Sequence, residues 1–180
     1  MRSDVQREYG GALWLLAAEQ NCSQALLEDV HTLQTVLKEN PDYIKLICSP
    51  DVHLDERLAL LDKAFRGNVH AYVLNFLKLL AQRGHFAFLP DCLDEYCRKY
   101  DEANNIENVT VYSAVPLSPA QEDALRDKLC AKLGKTIRLH VEVDPSVIGG
   151  IRVQTEKTSL DGTVRHKINT IRDNLLQSVI

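Results

Sequence analysis

The sequence predicts an α+β fold in which an N-terminal six-helix bundle is followed by a small α/β domain. Three observations favour this class. Apolar residues recur at helical spacing through the first hundred or so residues. β-Branched, strand-like runs begin only after residue 105. The chain has 180 residues, which is enough for two small domains. We therefore place the bundle at residues 1–105 and the α/β domain at residues 106–180.

The first three helices follow from apolar spacing and from residues that start or stop a helix. Apolar residues from Val5 to Leu16 fall on one side of a first helix. Ser23 is predicted to cap the second helix, because a hydroxyl oxygen can accept a bond from a first-turn amide. Asn40-Pro41 ends that helix, since proline cannot continue it. A short third helix closes at Ser49-Pro50.

Three further helices complete the predicted bundle. Asp55 is predicted to cap the fourth helix. Gly67-Asn68 then breaks the chain, and Val69–Gln82 forms the fifth helix. Gly84 ends that helix, because glycine tolerates the left-handed backbone of a helix terminus. Pro90 lies in the first turn of a long sixth helix, where its missing amide costs nothing.

The second domain is predicted to alternate strands and helices. Strands are expected at Val109–Val115, Thr136–Val143 and Val147–Val153, because these segments are β-branched or alternate between apolar and polar residues. Ser118 is predicted to cap a helix between the first two strands. Asp161-Gly162 is a tight-turn dipeptide that precedes a final helix.

Composition excludes several classes of protein. The chain carries 45% apolar and 26% charged residues with a net charge of −4, as a globular protein does. No basic stripe is present, so we expect no nucleic-acid partner. The longest apolar run, Ala12–Ala18, is far shorter than the roughly 20 residues of a spanning helix, so direct membrane insertion is not expected. Asp4 and Glu8 before this run favour a first helix over a signal or transit peptide.

No motif for catalysis, cofactor binding or metal binding is complete. Gly134-Lys135-Thr136 resembles the end of a phosphate loop but lacks the preceding glycine, and a helix terminus explains Gly134. Gly149-Gly150 is interpreted as a strand irregularity. The five cysteines form no CxxC pair, so we interpret them as reduced cytosolic residues. We therefore predict no catalytic residue, no cofactor and no metal ligand.

Two predicted helices carry more apolar surface than the edge of a small bundle requires. In the fifth helix the apolar residues cover an arc of roughly 220°, whereas a stripe of about 100° or somewhat more would suffice. In the first helix, Trp14 and Leu15 fall outside the main apolar line. The extra surface indicates either deeper burial or a groove for a partner helix.

Four segments together identify a family. The segment Val143–Val153 resembles the signature segment of the F-type ATP synthase delta subunit, whose mitochondrial relative is the oligomycin-sensitivity-conferring protein. Tyr9–Ala17 resembles the opening helix of that family, and Asn75–Phe86 with Leu89-Pro90 resembles its fifth helix. Asp161–Arg165 resembles the start of its last helix. The resemblance runs nearly end to end and in order.

The resemblance implies a non-catalytic stator subunit of the proton-translocating ATP synthase. The helical bundle would hold the N-terminal helix of an alpha subunit at the catalytic head, and the C-terminal domain would hold the b subunits of the peripheral stalk. This linkage would couple proton flow to ATP synthesis. A peripheral position on the cytoplasmic side of a bacterial cell membrane is expected. The alternative is a small cytosolic enzyme with a spatial active site in the α/β domain.

The family's groove lies between the first and fifth helices. The expected groove residues are Tyr9, Leu13, Tyr72, Phe76 and Leu79. The last helix carries an apolar stripe that is expected to bind the stalk. The expected stalk-binding residues are Ile168, Ile171, Leu175, Leu176 and Val179. Gly10-Gly11 departs from the family, which usually has helix formers there, and each glycine should weaken the first helix by roughly 1 kcal/mol.

Overall fold

Two compact units, Met1–Asp101 and Glu102–Ile180, divide the chain. The computed structural model describes residues 2–145, 147, 149–155 and 159–161. The predicted C-terminal helix lies outside the described residues. The α+β class predicted from the sequence is confirmed. No helix in the described part of the chain combines the length and apolar character needed to cross a membrane.

Helices dominate the first unit. Six α-helices and one short 3-10 turn follow each other along the chain, the sixth helix running just past the unit's end. Their bounds are α1 (Arg2–Glu19), α2 (Ser23–Glu39), α3 (Pro41–Cys48), α4 (Leu54–Phe65), α5 (Ala71–Gln82), the 3-10 turn Phe86–Phe88, and α6 (Leu89–Ala103). The glycine pair does not interrupt α1.

The starts of three helices differ from the sequence-based expectation. Cys22, not Ser23, occupies the N-cap position of α2, because the turn after α1 already closes through the bond from the Cys22 amide to the Ala17 carbonyl at 3.0 Å. His53, not Asp55, precedes α4, and its amide donates to the Glu56 carboxylate at 3.4 Å. Asp55 instead lies in the first turn, where its charge faces the positive end of the helix dipole.

The start of α5 also differs. Val69 was expected inside this helix, but it pairs with Arg66 in an isolated bridge, so α5 begins at Ala71. The Nδ1 atom of His70 accepts a hydrogen bond from the Tyr72 amide at 3.3 Å, and the His70 amide donates to the Asp29 carboxylate at 2.6 Å. These bonds give partners to two amides at the N-terminus of α5, and the second of them connects this end of α5 to α2.

One continuous apolar core holds the first unit together. Its fully buried members include Leu26, Ile47, Leu77, Phe86 and Tyr96, each at most 2% exposed. They come from α2, α3, α5, the 3-10 turn and α6. Burial of large aliphatic and aromatic side chains of this kind contributes about 1.5–3 kcal/mol each before the cost of ordering them.

The second unit is a small sheet with one crossover helix. The strands are β1 (Ile106–Ser113), β2 (Thr136–Val143), β3 (Ile151–Thr155) and β4 (Ser159–Asp161), and α7 (Pro119–Leu133) connects β1 to β2. The order in the sheet is β2-β1-β3-β4; β1 and β2 are parallel, and the other neighbours are antiparallel. A parallel pair requires such a long crossover, which explains α7.

Local signals in the second unit were mostly predictive. Ser118 caps α7, as expected, by accepting from the Gln121 amide at 3.4 Å. Gly134 ends α7 in a left-handed conformation, which confirms the helix-terminus interpretation. β3 begins only at Ile151, because Gly150 at φ 84° lies outside strand geometry. β4 was not predicted, since three residues carry too little pattern to be recognised.

Candidate functional site

The predicted groove residues divide into two groups by burial. Leu13 and Phe76 are 3% and 7% exposed and belong to the core. Tyr9 and Tyr72 are half-buried, and Leu79 is 41% exposed. Deeper burial therefore accounts for the inner part of each wide apolar arc. Tyr9, Tyr72 and Leu79 form an outer apolar flank, which we call the α1/α5 flank.

Two contacts, one at each end of α5, indicate that α1 and α5 run antiparallel. The Tyr72 hydroxyl at the start of α5 donates to the Gln20 side-chain oxygen just after α1 at 3.4 Å. The rings of Tyr9 in α1 and His85 after α5 meet edge to face, with centroids 5.7 Å apart. The three residues of the flank therefore lie along two neighbouring helices, which is the arrangement of a groove that accepts a helix.

The exposed side of α5 carries no charge. Lys78 is the single charged residue between Ala71 and Gln82, and its ammonium pairs with the Asp62 carboxylate of α4 at 2.7 Å. This partner lowers the pKa of Asp62. Because the pair lies on the α4 side of α5, the flank that carries Tyr72 and Leu79 is uncharged, and the exposed Asn75 lies between these two residues. Such a surface suits the apolar face of an amphipathic helix.

Contacts with α6 fix the other side of α1. The Trp14 ring meets the rings of Tyr96 and Tyr100 edge to face, at centroid distances of 5.9 and 5.8 Å. The Tyr96 hydroxyl donates to the Ser23 carbonyl at 2.9 Å, and burial raises the pKa of Tyr96, so this hydroxyl stays a donor. One turn before Trp14, Gly10 lies against α6 with no room for a side chain.

Sequence reasoning missed a second apolar groove in the first unit. It has a volume of about 1050 Å³ and lies between α2, α3 and the turn after α4. Val36 and Leu46 are partly exposed on its walls, and Tyr43 and Phe65 line it. The two exposed apolar residues lie in α2 and α3, at Val36 and Leu46.

The predicted stalk-binding residues belong to the last helix predicted from the sequence. Ile168, Ile171, Leu175, Leu176 and Val179 all lie outside the described residues. In the described part of the second unit, His140 of β2 is exposed, and its Nε2 atom lies 3.7 Å from the Glu142 carboxylate. Among the described residues, no group of three His, Cys, Asp or Glu side chains is arranged to hold a metal ion.

Comparison with known proteins gives the family. The family model described as ATP synthase delta (OSCP) subunit matches residues 5–175. The chain belongs to this family. The ATP synthase subunit delta of Chloroherpeton thalassium is 34% identical over 173 residues, covering 96% of this chain and 94% of that protein. That of Lacticaseibacillus casei is 35% identical, covering 96% and 95%. That of Desulfitobacterium hafniense is 33% identical, covering 97% and 98%.

A solved structure shares the fold. A chain of the Toxoplasma gondii mitochondrial ATP synthase hexamer superposes with a TM-score of 0.73 at 20% identity, covering 95% of this chain and 97% of that one. Membership of the delta (OSCP) family confirms the prediction of a non-catalytic ATP synthase subunit of the stator. The alternative of a small enzyme is not supported.

Proposed function

We propose that this delta-family chain joins the catalytic head of an F-type ATP synthase to its peripheral stalk by two separate contacts. Residues 1–105 act as a six-helix bundle that binds the N-terminal helix of an alpha subunit. Residues 106–180 bind the b subunits of the stalk. A head held in this way cannot turn with the rotor, so proton flow drives ATP synthesis. The bacterial relatives support a position on the cytoplasmic side of a bacterial membrane.

The observation that carries the head contact is the uncharged α1/α5 flank. Tyr9, Tyr72 and Leu79 lie along two antiparallel helices, and the only charge of α5 is paired on its other side. Half-exposed aromatic residues are frequent at the centre of protein interfaces, because they bury much area with little loss of conformational freedom. Leu13 and Phe76 support the groove from beneath as core residues.

Leu79→Asp in the full chain tests this contact. A synthetic peptide of the alpha subunit's N-terminal segment is titrated into each variant by calorimetry. We expect binding about tenfold weaker or worse, because the variant sets a carboxylate against an apolar face. Phe76→Asp is unsuitable, since Phe76 is buried and the variant would disrupt the core.

Leu54→Asp provides the matched control. Leu54 at the start of α4 is 45% exposed, close to the 41% of Leu79, but it lies outside the flank. It should leave peptide binding unchanged. Equal loss in both variants, or unaltered binding by Leu79→Asp, would show that the alpha-subunit helix does not bind at this flank.

The stalk contact is proposed for the end of the chain. The apolar spacing of Ile168, Ile171, Leu175 and Val179 supports it, together with Leu176. We expect a chain that ends at Asp173 to keep the alpha-subunit peptide and to lose the b subunits in pull-downs. Retained stalk binding would move that site elsewhere, and loss of both partners would indicate unfolding.

A further inference from the structure

Gly10 lies where α1 approaches α6 closely. A Cβ atom built on Gly10 would lie 2.6 Å from the Cys92 carbonyl oxygen, 2.8 Å from the Glu95 Cβ and 3.0 Å from the Glu95 Cγ. Atoms that are not bonded do not approach this closely, so a side chain at position 10 requires a shift of α1 or of α6. The backbone of Gly10 is ordinary helix, which any residue can adopt. Glycine is therefore required here because a side chain would not fit, and not because of its backbone conformation.

The part of α6 that faces Gly10, at Cys92 and Glu95, cannot shift easily. The Cys92 oxygen is a main-chain atom within α6, and the Cys92 side chain is fully buried. Glu95 is 7% exposed, and Arg98 holds its carboxylate at 2.5 Å. A side chain at position 10 would therefore shift α1 away from α6 rather than deform α6.

Such a shift would reach the α1/α5 flank. Tyr9 is the neighbour of Gly10, and its ring rests edge to face on His85 beyond the end of α5. Leu13 lies one turn later and is buried in the core. Trp14, on the α6 side, contacts Tyr96 and Tyr100. The distance between α1 and α6 thus determines the position of Tyr9 relative to α5.

We infer that Gly10 is a positioning residue for the partner helix: by letting α1 lie directly on α6, it sets the α1 wall of the α1/α5 flank. The inference rests on the proposed head contact. Gly11 is the natural reference, because a Cβ there would meet nothing within 4 Å. Alanine at either position improves helix propensity equally, so only the steric effect differs between the two variants.

The experiment compares Gly10→Ala and Gly11→Ala in the full chain. Calorimetric titration with the alpha-subunit N-terminal peptide gives the affinity. We expect about fivefold or greater loss for Gly10→Ala, because the displaced wall leaves part of the contact unmade, and no change for Gly11→Ala. Fluorescence of Trp14, the single tryptophan, reports the position of α1 without any ligand and should shift only in Gly10→Ala.

Each outcome decides the inference. Unchanged affinity in Gly10→Ala, or equal loss in Gly11→Ala, would overturn it. Unfolding of Gly10→Ala while Gly11→Ala stays folded would assign Gly10 to general stability and overturn a positioning role. If the unaltered chain binds no peptide, the proposed head contact fails, and the Trp14 fluorescence of the two variants separately decides whether Gly10 sets α1.

Discussion

Removing the Tyr96 hydroxyl should destabilise the first unit through one identifiable hydrogen bond. Tyr96 is fully buried, and its hydroxyl donates to the Ser23 carbonyl at 2.9 Å, joining α6 to the start of α2. Tyr96→Phe keeps the ring, its packing and its contact with Trp14. The variant therefore isolates the hydroxyl.

The expected magnitude follows from what remains after the substitution. A neutral buried hydrogen bond contributes about 0.5–1.5 kcal/mol net, and an orphaned buried acceptor costs about 1–3 kcal/mol. Ser23 is the first residue of α2, so its carbonyl still accepts a bond within the helix and is not orphaned. We therefore expect Tyr96→Phe to lower the free energy of unfolding by about 1 kcal/mol.

Tyr100→Phe is the matched control. The Tyr100 ring contacts Trp14 at 5.8 Å, nearly the distance of Tyr96, but its hydroxyl bonds the Gln24 side chain near the surface. We expect a loss of roughly 0.5 kcal/mol or less, as for other exposed sites. Urea unfolding of the full chain, followed by Trp14 fluorescence, measures both. Equal losses, or no loss in Tyr96→Phe, would refute the assignment.

The same hydroxyl predicts a pH dependence. Burial raises the pKa of Tyr96 above its ordinary value of 10.0. A group whose pKa is higher in the folded state binds its proton more tightly there, so its contribution to stability is complete below pH 10 and is lost as the pH rises further. Tyr96→Phe should reduce this alkaline loss, measured as the change in unfolding free energy from neutral to alkaline pH.

Three other expectations follow from single positions. Gly11→Ala should raise the free energy of unfolding by about 0.5–1 kcal/mol in urea titration, since the site is open and helical. Gly134→Ala should lower it by about 1 kcal/mol, because φ at Gly134 is 65°. A thiol reagent at pH 8 should label the exposed Cys48 in the folded chain and Cys92 only on unfolding, since burial raises the pKa of Cys92 to about 11; early labelling of Cys92 would contradict its burial.

The helices were predictable because their signals are local. Pro41, Gly84, Pro90, Ser118 and Gly134 stop, start or cap helices through short-range chemistry, and each acts as expected. Exact starts were less predictable where neighbouring structure competes. The Asp29 carboxylate from α2 binds the His70 amide, and such a contact 41 positions away leaves no trace in the local pattern.

The role of Gly10 could not be predicted, for a related reason. Helix propensity alone treats Gly10 and Gly11 alike, as two weak positions in one helix. The structure separates them, because one faces the Cys92 carbonyl of α6 and the other faces open space. Only the packing of helices far apart in sequence reveals which glycine is required.

The wide apolar arcs held two kinds of surface that hydrophobicity cannot distinguish. Phe76 and Leu79 lie on the same helix, and both are apolar, yet one is 7% and the other 41% exposed. A substitution at Phe76 changes folding and binding together, whereas one at Leu79 acts on the surface. The arc alone therefore leaves deeper burial and a partner surface as alternatives, and burial identifies Leu79 as the position of this arc that can be substituted without removing a core residue.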